Sequence, residues 1–500
     1  MRNTAFFAIL ICWISSCTAG GETGAVHQGG KMANGFQLAW VDVGSSWIPS
    51  QPFPMRLRLT SSDRAEGIQL LEGPNPALGF ALYREGEIPA WHAGAEATAM
   101  AGIEGSQGML ANGTLGPGES WETSEDLNLY WLPPAPGRYL LSARYLTPGG
   151  AAETVARPIE VAPAGLAASD SALQKASEVL LAQAWGNASQ LWLRLASGGF
   201  PLAPRWILPA GKWPGKGTIR VAQQAFSPLA DPPLPSYRFW LVWLNGNRLA
   251  GCLLDHQGKS LARFEQTLRS VKGAELLTPV QMENAELFVP LAHRPAKGSE
   301  LVWFRVTDSG GRAEEWGRWR LPQEAGRVMT AASPSGSVAL VCLDSAQHTV
   351  SGSFGPLQPE APALRVLSHF DQGKILFTTV LDMRQEMTLL LVRASENLRS
   401  VSIHQRGADT DLDAGPVAIP AELKPKDFSA TWVHRAGAVL VMRDESDRLW
   451  VTSPGAGAQW KPVEGLRASY NFGVAGSLTG IVVWGADAVL GLRFQRAIMF

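Results

Sequence analysis

The chain is short of cysteine, of net charge and of long apolar runs. Cysteine occurs four times in 500 residues, at Cys12, Cys17, Cys252 and Cys342, too few for a disulfide-stapled scaffold. Lys and Arg total 43 against 44 for Asp and Glu. That balance excludes a nucleic-acid or polyanion binder working by bulk charge. Beyond Ile14 no apolar run approaches the roughly 18 residues of a spanning helix. A membrane barrel ending at Phe500 would need alternating strands of about ten residues; the strands here read shorter, and Arg493 and Arg496 interrupt the last one. Catalytic signatures are missing too. There is no His-Glu-x-x-His, no Gly-x-Ser-x-Gly and no Cys-x-x-Cys, so no catalytic residue is assigned.

What is present begins with an address. Met1-Arg2-Asn3-Thr4 precedes an apolar run from Ala5 to Ile14 and then Ser15-Ser16-Cys17. One positive charge, a short apolar core and small residues before a cut make a secretory signal. Ile14-Ser15-Ser16-Cys17 also resembles the lipobox of bacterial lipoproteins: a branched apolar residue, two small residues and an obligate Cys. The resemblance implies cleavage after Ser16, acylation with palmitate-type chains at Cys17 and a membrane partner reached through that lipid. Thr18 is not the Asp associated with inner-membrane retention, so the expected location is the outer membrane, facing the periplasm or the exterior. Residues 17–35 are small and polar and read as a flexible tether.

Apolar residues are 46% of the chain, enough for a large core, and the length suggests two or three domains. Over 36–163, short strands alternate with Gly, Pro, Asn and Ser clusters: Phe36–Val43, Met55–Thr60, Leu78–Tyr83, Ser120–Thr123, Arg138–Tyr145 and Pro158–Val161. Six such strands argue for a β-sandwich. Leu115-Gly116-Pro117-Gly118-Glu119, followed by Pro136-Gly137-Arg138-Tyr139 and the strand to Tyr145, resembles the ending of extracellular immunoglobulin-like modules. Tyr139, Leu141, Ala143 and Tyr145 then share one face. Residues 164–185 read as a linker. It is either a short helix with Leu173, Ala176, Val179 and Leu180 on one side, or a strand that helps close the next domain.

From 186 to 500 the sequence repeats. Seven times an apolar strand enters a polar turn, marked by Ser197, His256, Ser309, Ser345, Ser395, Glu445 and Ala486. The intervals are 59, 53, 36, 50, 50 and 41, near the 40–50 residues of a β-propeller blade. The expected class is all-β: an Ig-like sandwich followed by a propeller of about seven blades, with two further sandwiches as the competing architecture. No WD, kelch or NHL signature occurs. Val306-Thr307-Asp308-Ser309-Gly310 begins like a sialidase Asp-box, but Ala313 stands where Trp is due. If Cys252 and Cys342 lie on matching strands of blades two and four, blade three separates them beyond the ~7 Å Cα limit for a disulfide. Both are expected to be buried thiols.

Candidate sites are few. Residues 211–218 look like a phosphate loop, but Gly217 separates Lys216 from Thr218 and no phosphate site is expected. Asp409, Asp411 and Asp413 alternate in an expected turn, where carboxylates either converge on Ca²⁺ or face solvent; no other cofactor is implied. Eight His are scattered, none spaced as a metal pair. Of nineteen Trp, most lie in strands and are expected to pack. Trp213, Trp316, Trp319 and Trp460 lie near loops and are the candidates for stacking on a sugar or anchoring a partner. The functional expectation is a lipid-anchored envelope protein that binds a protein or glycan through propeller loops; it looks like the class that includes the outer-membrane assembly propeller lipoproteins, without that family's repeat signature. The alternative is a glycan- or peptide-active hydrolase on the same fold.

Overall fold

The computed structural model describes residues 31–497 apart from short segments at 63–67, 72–76, 94–110, 128–133, 148–149, 176–178, 188–189, 198–202, 213–216, 225–237, 256–258, 270, 272, 283, 295–297, 323–324, 333–336, 384–385, 407–410, 434–436, 455–457 and 477–480. The described residues form strands and no α-helix, and none of their segments is a helix long and apolar enough to cross a membrane.

The first unit is an Ig-like sandwich. One sheet holds Phe36–Val43, Pro54–Ser61 and Ser120–Asp126. The other holds Ser46–Trp47, Arg157–Val161, Gly137–Thr147, Leu78–Tyr83 and Trp91–Ala93, in that order. The period-two pattern explains the faces. Met55, Leu57 and Leu59 are fully buried, while Arg58 turns out and bonds Glu122, its cross-strand partner, at 2.7 Å. Tyr139 and Tyr145 enter the core with Leu141 and Ala143 between them. The Tyr139 hydroxyl donates back to the Ala135 carbonyl at 2.8 Å, the kind of tie that fixes the corner before a late strand in Ig-like sandwiches.

The second unit is a seven-bladed propeller. Among the described residues, five four-stranded meanders, a third sheet of six strands built on a four-stranded meander, and a final three-stranded one form the seven blades in sequence order. They span Leu166–Lys175 to Ala203–Lys212, Thr218–Val221 to Ser260–Thr267, Val280–Gln281 to Glu314–Leu321, Ala325–Ala332 to Arg365–His369, Lys374–Met383 to Asp411–Ala418, Pro425–Val433 to Lys461–Arg467, and Phe472–Gly476 to Gly491–Ala497. First strands of neighbouring blades meet one another, which places them at the inner end of each sheet and the last strands at the rim. Gln223–Gln224 adds a parallel inner strand to blade three, and the Gln223 side chain accepts from the Ala332 amide of blade four.

Seven apolar clusters close the ring, one per blade interface. For example, Cys252 and Phe239 of blade two pack with Leu191 of blade one, and Ala486 of blade seven packs with Leu166, Trp185 and Trp192 of blade one. Tyr470 and Ser169 complete that last seam with hydrogen bonds to Leu166 and Asn471. Tryptophans staple other seams. Trp240 donates to Ala285, Trp319 to Pro359 and Trp460 to Ala418, each carbonyl on an adjacent blade. This arrangement of shared interfaces is incompatible with two further sandwiches.

Three expectations change. Residues 164–185 are not a linker helix. Leu166–Lys175 and Val179–Asn187 are the first two strands of blade one, so the propeller starts near 166 rather than 186. The seven turns are not equivalent either. Those in blades one to three join strands three and four; those in blades four to seven join strands two and three. That slip accounts for the short interval of 36. The third strands begin at Gln190, Arg248, Ser299, Thr349, Ser400, Arg448 and Gly491, at regular intervals of 58, 51, 50, 51, 48 and 43. Likewise Cys252 is on the third strand of its blade and Cys342 on the second. Both are nonetheless buried thiols outside any disulfide, and burial pushes each thiol up to about 12.

Candidate functional site

A polar concavity lies at the rim between blades two and three. Its first wall is the end of the outer strand Ser260–Thr267 with the residues after it; its second is the turn into the outer strand Glu314–Leu321. The open cleft holds about 870 Å³ and is lined by Gln266, Leu268, Arg269, Phe304, Arg312 and Glu314, among others. Leu268, Phe304 and Ala313 are buried and form an apolar floor. Arg269, Arg312 and Glu314 are exposed at its edge.

The second wall is built by a turn that only glycine permits. Thr307 accepts from Gly310 along the backbone, and its hydroxyl meets the Ser309 hydroxyl at 3.0 Å. Gly310 has φ +76° and Gly311 φ +97°. The Gly311 amide donates to the Arg263 carbonyl of blade two at 2.9 Å. A Cβ on Gly310 would stand 2.5 Å from that same carbonyl oxygen, so the bare backbone allows the turn to lean across the seam and carry Arg312 to the cleft.

The electrostatics are unfinished. Among the described residues neither Arg269 nor Arg312 has a carboxylate within ion-pairing distance, and Glu314 has no cation, whereas Glu315 is engaged by Arg318 at 3.0 Å. Gln266 Oε1 is out of water and accepts no hydrogen bond. A buried acceptor left this way costs about 1–3 kcal/mol. None of these residues stood out in the sequence, because they come from two blades. The visible signal was the double glycine of the 307–312 turn.

A second constellation lies on blade five. Ser402 and His404 alternate on the strand Ser400–Arg406, and Asp413 faces His404 from the neighbouring strand. Ser402 Oγ is 2.9 Å from His404 Nε2, and His404 Nδ1 is 2.8 Å from Asp413 Oδ1. Burial, more than any charge, lowers the imidazole below its ordinary 6.5. Burial works to raise Asp413, but hydrogen bonds from Arg406 and His404 outweigh it and hold the carboxyl low. These partners assign Nδ1–H to Asp413 and leave Nε2 to accept from Ser402, the order of a Ser-His-acid relay. Phe370 lies against the imidazole with ring centres 4.7 Å apart, and the Arg393 guanidinium caps Phe370.

The sequence candidates fare differently. Cys17, Trp213 and Asp409 lie outside the described residues. Asp411 and Asp413 are in the strand Asp411–Ala418, not a turn. Asp413 Oδ1 is already taken by Arg406 at 2.7 Å, a guanidinium where a metal ion would have to sit. No cluster of three or more potential ligands forms among the described residues. Trp319 and Trp460 are buried staples and Trp316 is half-buried edge-on to Phe288 at 4.9 Å. The aromatic faces of Trp316, Trp319 and Trp460 are spent on packing between or within blades.

No protein-family model and no curated protein matches the chain. Solved structures with a similar trace are propellers. The six-bladed fungal lectin of Aleuria aurantia shares 10% identity at a TM-score of 0.37, over 61% of this chain and 97% of the lectin. A puromycin-hydrolyzing peptidase of Mycobacterium tuberculosis shares 15% at 0.39, over 65% of this chain and 51% of its own. The WD40 domain of Toxoplasma gondii coronin shares 10% at 0.33, over 65% and 75%. The likeness is one of architecture, and the function of this chain has to be argued from its own side chains.

Proposed function

We propose that the chain is a lipid-anchored binding protein of the cell envelope, held by Cys17 and recognising an envelope ligand at the rim of its propeller. The observation that carries the binding role is the cleft between blades two and three, where two unpaired guanidiniums and an unsatisfied acceptor surround an apolar floor. Convergent polar groups over an apolar base are the usual make-up of a ligand site. The anchor rests on Ile14-Ser15-Ser16-Cys17 and the polar tether after it. The sandwich serves as a spacer between lipid and propeller. The test has two arms. Wild-type protein made in a bacterial host should incorporate labelled palmitate and sediment with membranes, and Cys17→Ala should do neither. The intact protein, screened against arrayed glycans and its own envelope extract, should retain a saturable ligand. Palmitate-free protein, or membrane association indifferent to Cys17, would refute the anchor; a silent screen would refute the binding role.

The relay of Ser402, His404 and Asp413 favours a second reading, a serine hydrolase. A neutral imidazole accepting from a serine hydroxyl is a competent general base. The ring lies against Phe370. Covalent labelling by a fluorophosphonate, abolished in Ser402→Ala, would establish this reading in place of the first.

A further inference from the structure

We infer that the rim cleft binds an acidic sugar, a pyranose chain carrying carboxylates beside free hydroxyls, as in oligouronates. This rests on the binding role proposed above and names its ligand class. Arg269 and Arg312 line the cleft with no carboxylate in ion-pairing distance among the described residues, and a guanidinium presents the planar fork that fits a carboxylate. The same cleft offers the exposed Glu314 carboxylate as an acceptor, and the Gln266 amide oxygen, buried without a partner, becomes a second one once its side chain turns into the cleft. A ligand must therefore bring negative charge and hydroxyl donors on neighbouring atoms. Inorganic anions supply the charge without an apolar body to cover Leu268 and Phe304. An acidic peptide brings carboxylates without the ring hydroxyls that Glu314 would accept from or the flat C–H face that would cover Leu268 and Phe304. A uronate ring has one carboxylate, several hydroxyls and an apolar C–H face, and the open cleft of about 870 Å³ has room for more than one ring.

The turn at Gly310 and Gly311 belongs to the same device. It bridges from blade three to the Arg263 backbone of blade two, so the two cationic walls are held in one register before any ligand arrives. Such prior ordering lowers the entropic cost of binding.

The test uses the full chain and titration calorimetry with oligogalacturonate, its fully methyl-esterified form and an acidic hexapeptide. The acid should bind and the ester should bind at least tenfold more weakly. Arg269→Ala and Arg312→Ala should each raise Kd by about 10- to 100-fold, the worth of one charge-assisted pair. Gln266→Leu should weaken the acid without restoring the ester. Arg248→Ala, on the same blade but outside the cleft and paired with Glu265, should leave Kd unchanged. Equal binding of acid and ester, a preference for the peptide, or a Kd indifferent to both arginines would overturn the assignment. If the chain ignores the uronate but retains another ligand in the screen above, the acidic-sugar assignment fails and the binding role stands. If it retains nothing, both fail.

Discussion

Gly310→Ala and Gly311→Ala form a matched pair that isolates the close approach of blade three to blade two. Both residues sit at positive φ, +76° and +97°, so alanine at either costs about 1–2 kcal/mol of backbone strain. Their surroundings differ. A Cβ on Gly311 meets nothing within 4 Å, whereas one on Gly310 meets the Arg263 backbone at 2.5 Å and 2.8 Å. Backbone cannot swing aside as a side chain can. The turn must therefore lift, and the Gly311–Arg263 hydrogen bond at 2.9 Å goes with it, for about another 1 kcal/mol. Gly310→Ala is expected to destabilise by about 2–4 kcal/mol and Gly311→Ala by about 1–2 kcal/mol. Urea unfolding followed by tryptophan fluorescence would read the gap as a difference in midpoint at unchanged slope. The lifted turn also moves Arg312, so ligand affinity should fall in Gly310→Ala and hold in Gly311→Ala. Equal midpoints for the two variants would show that the approach at Arg263 is slack and that the turn does not set the cleft.

The remaining expectations concern the blade interiors. His404 stays neutral in the fold because burial lowers its pKa below 6.5, while the unfolded chain takes up a proton near that value. Its contribution is therefore fully present above about pH 6.5 and drains as pH falls toward the folded value. The unfolding midpoint of the wild type should drop between pH 7 and pH 5, and His404→Gln should flatten that component; a parallel profile in the variant would refute the assignment. Trp319→Phe removes the donor to Pro359 and part of a buried ring, so stability should fall by about 1–3 kcal/mol with ligand affinity unaltered. A loss of affinity without a loss of stability would return Trp319 to the binding surface. Cys252 and Cys342, buried and with thiols raised to about 12, should react with a thiol reagent only after unfolding. Labelling at the native rate of an exposed thiol would contradict the placement of both strands.

Much of the architecture could be read before any coordinates, for reasons visible in single residues. Arg56 and Arg58 between Met55, Leu57 and Leu59 mark one wet and one dry face of a strand. The repeat was legible because its turns carry their own chemistry. The side chains of Asp344, Ser395, Asp444 and Asp487 each accept backbone amides of the turn that follows them, the local hydrogen bonding that makes Asp and Ser turn-formers. In blades one to three the corresponding turns differ in composition, such as Asn245-Gly246-Asn247. The visible marker there moved to the next hairpin. The sequence leaves the first two strands of blade one open between a linker helix and a closing strand, because an Ala-rich, weakly alternating stretch such as Leu166–Lys175 satisfies either equally well. Pairing with Val179–Asn187 decided it.

Local spacing carries local structure: strand, turn, the period of about fifty residues, and the export and lipid signal ahead of them. Those follow from side-chain alternation and from hydrogen bonds within a few residues. Which tryptophans stay dry, why Asp413 meets an arginine and a histidine, and how Gln266 and Arg269 come to face Arg312 were settled only by the closing of the ring. Each of those contacts joins strands or blades that the chain keeps apart, and their partners are chosen by packing across a seam that no stretch of sequence contains.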